Sequence, residues 1–117
     1  MKNEFVPYNR ALKLKELGFD EPCFAVYIDK TLIMEDDWLY STNQDTFIES
    51  SNFTAPVYQQ AFRFFREKYG LYSVVDGLEN RQYYKITQLN SYSKEYETYE
   101  EAELACLKKL IEIVKTK

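Results

Sequence analysis

The sequence predicts an α+β fold in the order α-β-β-α-β-β-α, an antiparallel sheet with helices packed mainly on one face. Three observations predict it. Three segments repeat apolar residues at helical spacing, each with a start or stop signal. Between them lie two pairs of strand-like runs. The 117 residues have the length of one domain, in which roughly two-thirds of the unfolded chain's surface is buried on folding.

The first helix is expected over Pro7 to Leu17. Proline suits a first helical turn, and Gly18 suits the left-handed residue that ends one. Leu14 and Phe19 then hold the two positions whose side chains meet across such an ending. Asp20-Glu21-Pro22 turns the chain. Phe24, Val26 and Ile28 alternate with Ala25, Tyr27 and Asp29, as in a strand, and Asp29-Lys30-Thr31 supplies a turn. Leu32, Met34, Trp38 and Tyr40 share a face of the next strand, with a bulge or strand end expected near Glu35-Asp36-Asp37 because Asp36 falls on that face. The single domain, residues 1–117, therefore carries a long polar loop at about 41–54.

The second helix is expected over Ala55 to Tyr69, capped by Thr54, with Pro56 in its first turn and Gly70 closing it. Val57, Tyr58, Ala61, Phe62, Phe64, Phe65 and Tyr69 gather on one side, and Gln59, Gln60, Arg63, Arg66 and Glu67 on the other. Leu71 to Asp76 and Tyr83 to Leu89 read as a hairpin around a larger loop containing Gly77. The last helix runs from Tyr99 to about Lys115, with Thr98 and Glu101 as a capping box and charges that match the helix dipole. Phe62, Phe65, Leu110 and Val114 are expected in the core. The two hairpins are expected to merge into one sheet.

Composition narrows function by exclusion. Eleven tyrosines and eight phenylalanines accompany no histidine at all. Aromatic area drives burial and recognition, whereas histidine is the usual source of neutral-pH proton transfer and metal ligation. Two cysteines, Cys23 and Cys106, form no zinc-site pair, and Glu35-Asp36-Asp37 lacks the spaced oxygens and glycine of a calcium loop. Neither thiol has a histidine beside it in sequence, and the three glycines form no phosphate cradle. The expectation is a chain with no metal, no cofactor and no catalytic residues, not an enzyme; carboxylate-only catalysis is the last alternative. No apolar run is long enough for a membrane span, and the charged N-terminal segment is unlike a signal peptide, so a cytoplasmic location with reduced thiols is expected.

Recognition remains. Tyrosine offers a large rigid ring with a polar end and is enriched at interaction surfaces. A protein partner or self-association is the leading reading. Its candidate surface is Arg63, Arg66, Tyr72, Tyr83 and Tyr84. The alternative is a nucleic-acid-associated factor in which the Arg63/Arg66 helix face binds phosphates while the tyrosines stack bases. The net charge of −4 and the interruption by Glu67 weigh against it.

Three strings carry a resemblance: Leu14-Lys15-Glu16-Leu17-Gly18-Phe19-Asp20-Glu21-Pro22-Cys23, the stretch from Ala55-Pro56-Val57-Tyr58 through Tyr69-Gly70-Leu71, and Thr98-Tyr99-Glu100-Glu101-Ala102-Glu103-Leu104-Ala105-Cys106-Leu107. Together they resemble small uncharacterised proteins of phages, prophages and mobile elements of Bacteroides-type gut bacteria. The middle segment, Lys30 to Thr54, departs from that group. The resemblance implies a phage or mobile-element setting in a bacterial cell and supplies no activity.

Overall fold

Helix α1, Tyr8–Glu16, runs between the two residues the sequence singles out for it. Pro7 is its N-cap, with extended backbone, and Gly18 ends it at φ +97°. The Gly18 N–H donates to the Lys15 carbonyl (3.0 Å) and the Phe19 N–H to the Leu14 carbonyl (2.9 Å). Those are the paired bonds of a Schellman ending, and Leu14 and Phe19 are both buried, as that motif's apolar pair requires.

The structure, a computed structural model, describes residues 4–34, 42–43, 53–78, 81–89 and 91–115. After α1 come β1 (Val26–Ile28), β2 (Thr31–Ile33), β3 (Phe53–Thr54), α2 (Tyr58–Tyr69), β4 (Ser73–Leu78), β5 (Arg81–Ile86), β6 (Ser91–Tyr92) and α3 (Tyr99–Lys115). The class is α+β. Among the described residues, however, the hairpins do not merge into one sheet. Each recruits its own third strand from the polar connection that follows it, giving antiparallel sheets ordered β2-β1-β3 and β4-β5-β6. The backbone groups of those connections find ladder partners there. Contacts divide the chain into two compact units, residues 1–61 and 62–117, with the division inside α2.

In the first unit, Ile28 pairs with Thr31, so the turn is the two residues Asp29 and Lys30, at φ +50° and +67°. Positive φ at both central residues marks the tight turn whose twist matches a hairpin; Thr31, expected in the turn, belongs to β2. Strand β1 is central, with Val26 opposite Thr54 and Tyr27 opposite Phe53. Both Val26 and Tyr27 are therefore buried, whereas Phe24 precedes the strand and is exposed. The Tyr27 ring meets Tyr8 edge-on at 5.5 Å and Phe53 at 5.9 Å, and its hydroxyl donates to the Val6 carbonyl at 2.8 Å. Asn43 donates from Nδ2 to the Phe19 carbonyl (2.7 Å) and accepts the Thr54 N–H on Oδ1 (2.8 Å). The segment expected as a loop at 41–54 thus ends in strand β3. Residues 35–41 and 44–52, including the expected bulge and Trp38 and Tyr40, lie outside the described residues.

Helix α2 begins at Tyr58, not at Ala55. Thr54 is in β3, the Ala55 N–H donates to the Ala25 carbonyl (2.9 Å), and the Pro56 carbonyl accepts the Val6 N–H (2.9 Å). The backbone is held extended up to Val57, which becomes the first helical acceptor for Gln60 and Ala61. Gln60 takes the Val57 N–H on Oε1 (3.1 Å), half of a capping box, and donates from Nε2 to the Pro22 carbonyl (2.7 Å).

In the second unit, Leu78 pairs with Arg81, so two residues join β4 to β5 and Gly77 lies inside the strand opposite Gln82. The larger loop around Gly77 is corrected accordingly. Glycine is needed there because, at φ +152°, a Cβ would run into the Arg81 carbonyl oxygen and lie 2.8 Å from the Gln82 Cα. Strand β5 stops at Ile86, and Thr87–Leu89 form a 3₁₀ turn rather than more strand. Helix α3 matches its expected span. The Thr98 Oγ1 accepts the Glu101 N–H and the hydroxyl donates to the Glu101 carboxylate, both at 3.1 Å. It buries Ala102, Cys106, Leu107, Leu110 and Ile111 and packs on β4 and β5. Phe65 and Leu110 are fully buried; Phe62 and Val114, expected beside them, are half-buried.

Candidate interaction surface on the second sheet

Alternation along β4 and β5 assigns each residue to one of two faces. Ser73, Val75 and Gly77 pair with Ile86, Tyr84 and Gln82 on the face that carries α3, where Ile86 is buried and α3 packs on β4 and β5. Val74 and Asp76 pair with Lys85 and Tyr83 on the opposite face. Tyr72 joins that open face, since its carbonyl accepts the Thr87 N–H (2.9 Å) one pair further on, and so does Tyr92, opposite Lys85. Val74, Tyr72 and Tyr92 are 56%, 53% and 64% exposed, more than a sheet covered on both sides permits.

The rings on this face are ordered. Tyr83 and Tyr92 meet edge-to-face with centroids 4.9 Å apart, and the Lys85 ammonium stands 5.2 Å from the Tyr92 centroid. The Tyr83 hydroxyl titrates above its ordinary value, through desolvation first and then the charges of Asp76 and Tyr92. Arg81 and Asp76 are exposed at the end of the same face.

Of the residues the sequence nominates, Tyr72 and Tyr83 share this face. Tyr84 does not; it points to the α3 side, where its ring stacks on Tyr96 (6.5 Å between centroids, 22° between planes). Its pKa is raised by burial and then by Tyr96, Cys106 and Glu112. An open groove of about 400 Å³ lies there, its lining including Tyr84, Tyr96, Leu104, Lys108, Glu101 and Glu112. Arg63 and Arg66 are exposed one turn apart on α2, an element outside the sheet. The sequence reading missed Val74, Lys85 and Tyr92. The alternation in Tyr72-Ser73-Val74 and Tyr83-Tyr84-Lys85 is the signal that separates the faces.

Neither thiol is poised for chemistry. Cys23 and Cys106 are unbonded and buried, and burial pushes each up to about 12, with Thr54 and Ser73 respectively offsetting a little. The Cys23 thiol donates to the Glu21 carbonyl (3.3 Å), while the buried Thr54 hydroxyl makes no well-formed hydrogen bond. Among the described residues no three His, Cys, Asp or Glu side chains gather as metal ligands, and no helix is long and apolar enough to cross a membrane. Comparison with known proteins returns no match: no family model, curated protein or solved structure matches this chain.

Proposed function

We propose that this protein is a non-enzymatic accessory factor of a phage or mobile element, acting in the bacterial cytoplasm by docking another protein on the open face of the β4-β5-β6 sheet. The observation that carries the docking reading is the co-facial exposure of Tyr72, Val74 and Tyr92 on a sheet whose other side is filled by α3. Rigid rings with polar tips, an aliphatic side chain on the same face and the cations of Lys85 and Arg81 among them are the chemistry of a protein-recognition patch. The phage setting rests on the three sequence strings described above.

The test is affinity capture of the tagged chain from infected or host cells, compared with Tyr92→Ala and Tyr72→Ala. A specific protein retained by the wild type and lost from either variant supports the reading. Equal recovery with both variants overturns it.

A second reading has one observation in its favour: Lys85 and Arg81 flank the tyrosines, as phosphate-binding cations flank stacking rings on single-strand platforms. That reading expects tight binding of single-stranded DNA or RNA at about 150 mM salt with a steep salt dependence. Loss of binding in Lys85→Glu would place the site on the sheet, and loss in Arg63→Glu with Arg66→Glu would place it on α2.

A further inference from the structure

The β4 edge of the second sheet carries the inference. The Thr87 N–H bonds the Tyr72 carbonyl, and the register continues through Val74–Lys85 and Asp76–Tyr83, so the backbone groups of Tyr72, Val74 and Asp76 point at β5. Consistently, those of Tyr84 and Gln82 point the other way, to Ser93 and Tyr96. The N–H and carbonyl groups of Ser73, Val75 and Gly77 therefore point outward, and among the described residues no strand lies beyond β4. An unpaired strand edge is a template for another chain.

Among the described residues the other edges are blunted. Strands β2 and β3 have three and two residues. Beyond β5 the outer strand is two residues long and then bulges into exposed Lys94 and Glu95. On β4, with six residues, one outward group is already satisfied: the Gly77 N–H donates to the Asp76 carboxylate at 2.7 Å. What stays open is the pair Ser73 and Val75, on either side of the exposed Val74.

We infer that two copies of this chain pair antiparallel along β4 about a two-fold axis at Val74, forming one six-stranded sheet. That register sets Ser73 of each copy opposite Val75 of the other, so each N–H in the pair meets a carbonyl and four hydrogen bonds close reciprocally. It brings the two Val74 side chains together on the open face and sets Tyr72 opposite Asp76, with no like charges abutting. A register centred on Val75 would instead need the Gly77 N–H that Asp76 holds. A self-complementary, two-fold contact of this kind closes on itself and does not propagate. The inference goes beyond the docking reading because it uses the edge of the sheet and needs no foreign partner.

Sedimentation equilibrium of the full chain, from about 1 μM to about 1 mM, measures it. The wild type is expected to double its 14.0 kDa mass with rising concentration. Val75→Pro removes an outward N–H at an edge position that tolerates proline and is expected to stay monomeric with an unchanged circular dichroism spectrum. Should that variant misfold, Val74→Lys and Val74→Glu decide. Each alone is expected to be at least tenfold weaker in self-association, and an equimolar mixture is expected to recover the doubled mass, because only a contact of position 74 with itself pairs the opposite charges. A wild type that stays at 14.0 kDa, or a mixture no stronger than its components, overturns the inference. Tyr92→Ala, two strands from the edge, keeps the dimer, so its loss of a captured protein reports on docking alone.

Discussion

The Tyr84 N–H ends on the Ser93 hydroxyl oxygen at 2.9 Å, and the Ser93 N–H returns to the Tyr84 carbonyl at 2.8 Å. A side chain here does the work of a strand carbonyl. Between the pairs Lys85–Tyr92 and Gln82–Tyr96 the outer strand holds one residue more than β5, a bulge that the serine hydroxyl bridges.

Ser93→Ala is therefore expected to leave the Tyr84 N–H without an acceptor in a half-buried position. The cost is about 1 kcal/mol, at the low end for an unsatisfied donor. Chemical denaturation measures it, and amide exchange at Tyr84 should accelerate while exchange in β4 does not. Unchanged exchange at Tyr84 would refute the role given to the hydroxyl.

Phe65→Ala is expected to cost about 3–5 kcal/mol, because Phe65 is fully buried and packs edge-on against Phe64 at 5.4 Å. Phe62→Ala, at a half-buried position, should cost distinctly less. Urea midpoints of the two variants check the ranking, and equal losses would contradict the observed helix facing.

Lys30→Gly is expected to stabilise the protein by about 1 kcal/mol. Lys30 sits at φ +67°, where a Cβ is strained and glycine is not. The gain should show as a higher melting temperature. A loss would mean that the Lys30 side chain contributes more than its backbone costs.

Alkaline pH should weaken the fold in a defined window. Burial pushes the Cys23 and Cys106 thiols up to about 12 in the fold, from 9.0 when unperturbed. A raised folded pKa means that the unfolded chain holds fewer protons between those values, so stability is full below pH 9 and falls towards pH 12. Tyr27, Tyr84 and Tyr99, raised first of all by burial, add to the same trend. Each thiol adds a slope of at most about 1.4 kcal/mol per pH unit. Urea midpoints between about pH 8 and pH 10.5 should decline less steeply for Cys106→Ala than for the wild type.

Much of the fold is legible where a short sequence signal is also the physical cause. Pro7 and Gly18 bracket α1, and Thr98 with Glu101 starts α3, because those residues satisfy or limit the backbone on the spot. The start of α2 misleads for the opposite reason. Pro56 fits a first helical turn, but its carbonyl is claimed by Val6, fifty residues earlier. Strands β3 and β6 are two residues each and exist only through β1 and β5, so no local pattern announces them. In the candidate surface, the tyrosines were visible but their faces were not: Tyr83 and Tyr84 are adjacent in sequence and lie on opposite sides of the sheet.

The two sheets also differ in how far apart in the chain their partners lie. Strands β4, β5 and β6 follow one another directly, with two residues between the first pair, whereas β1 must find β3 across the separation from Val26 to Thr54. Local pairings close quickly and distant ones pay a larger loop-closure entropy first. The order of assembly is thus written in the connectivity. The tyrosine-bearing hairpin and α3 should be in place before the N-terminal sheet has gained its third strand, and in pulsed hydrogen exchange the amides of β5 should be protected ahead of those of β3.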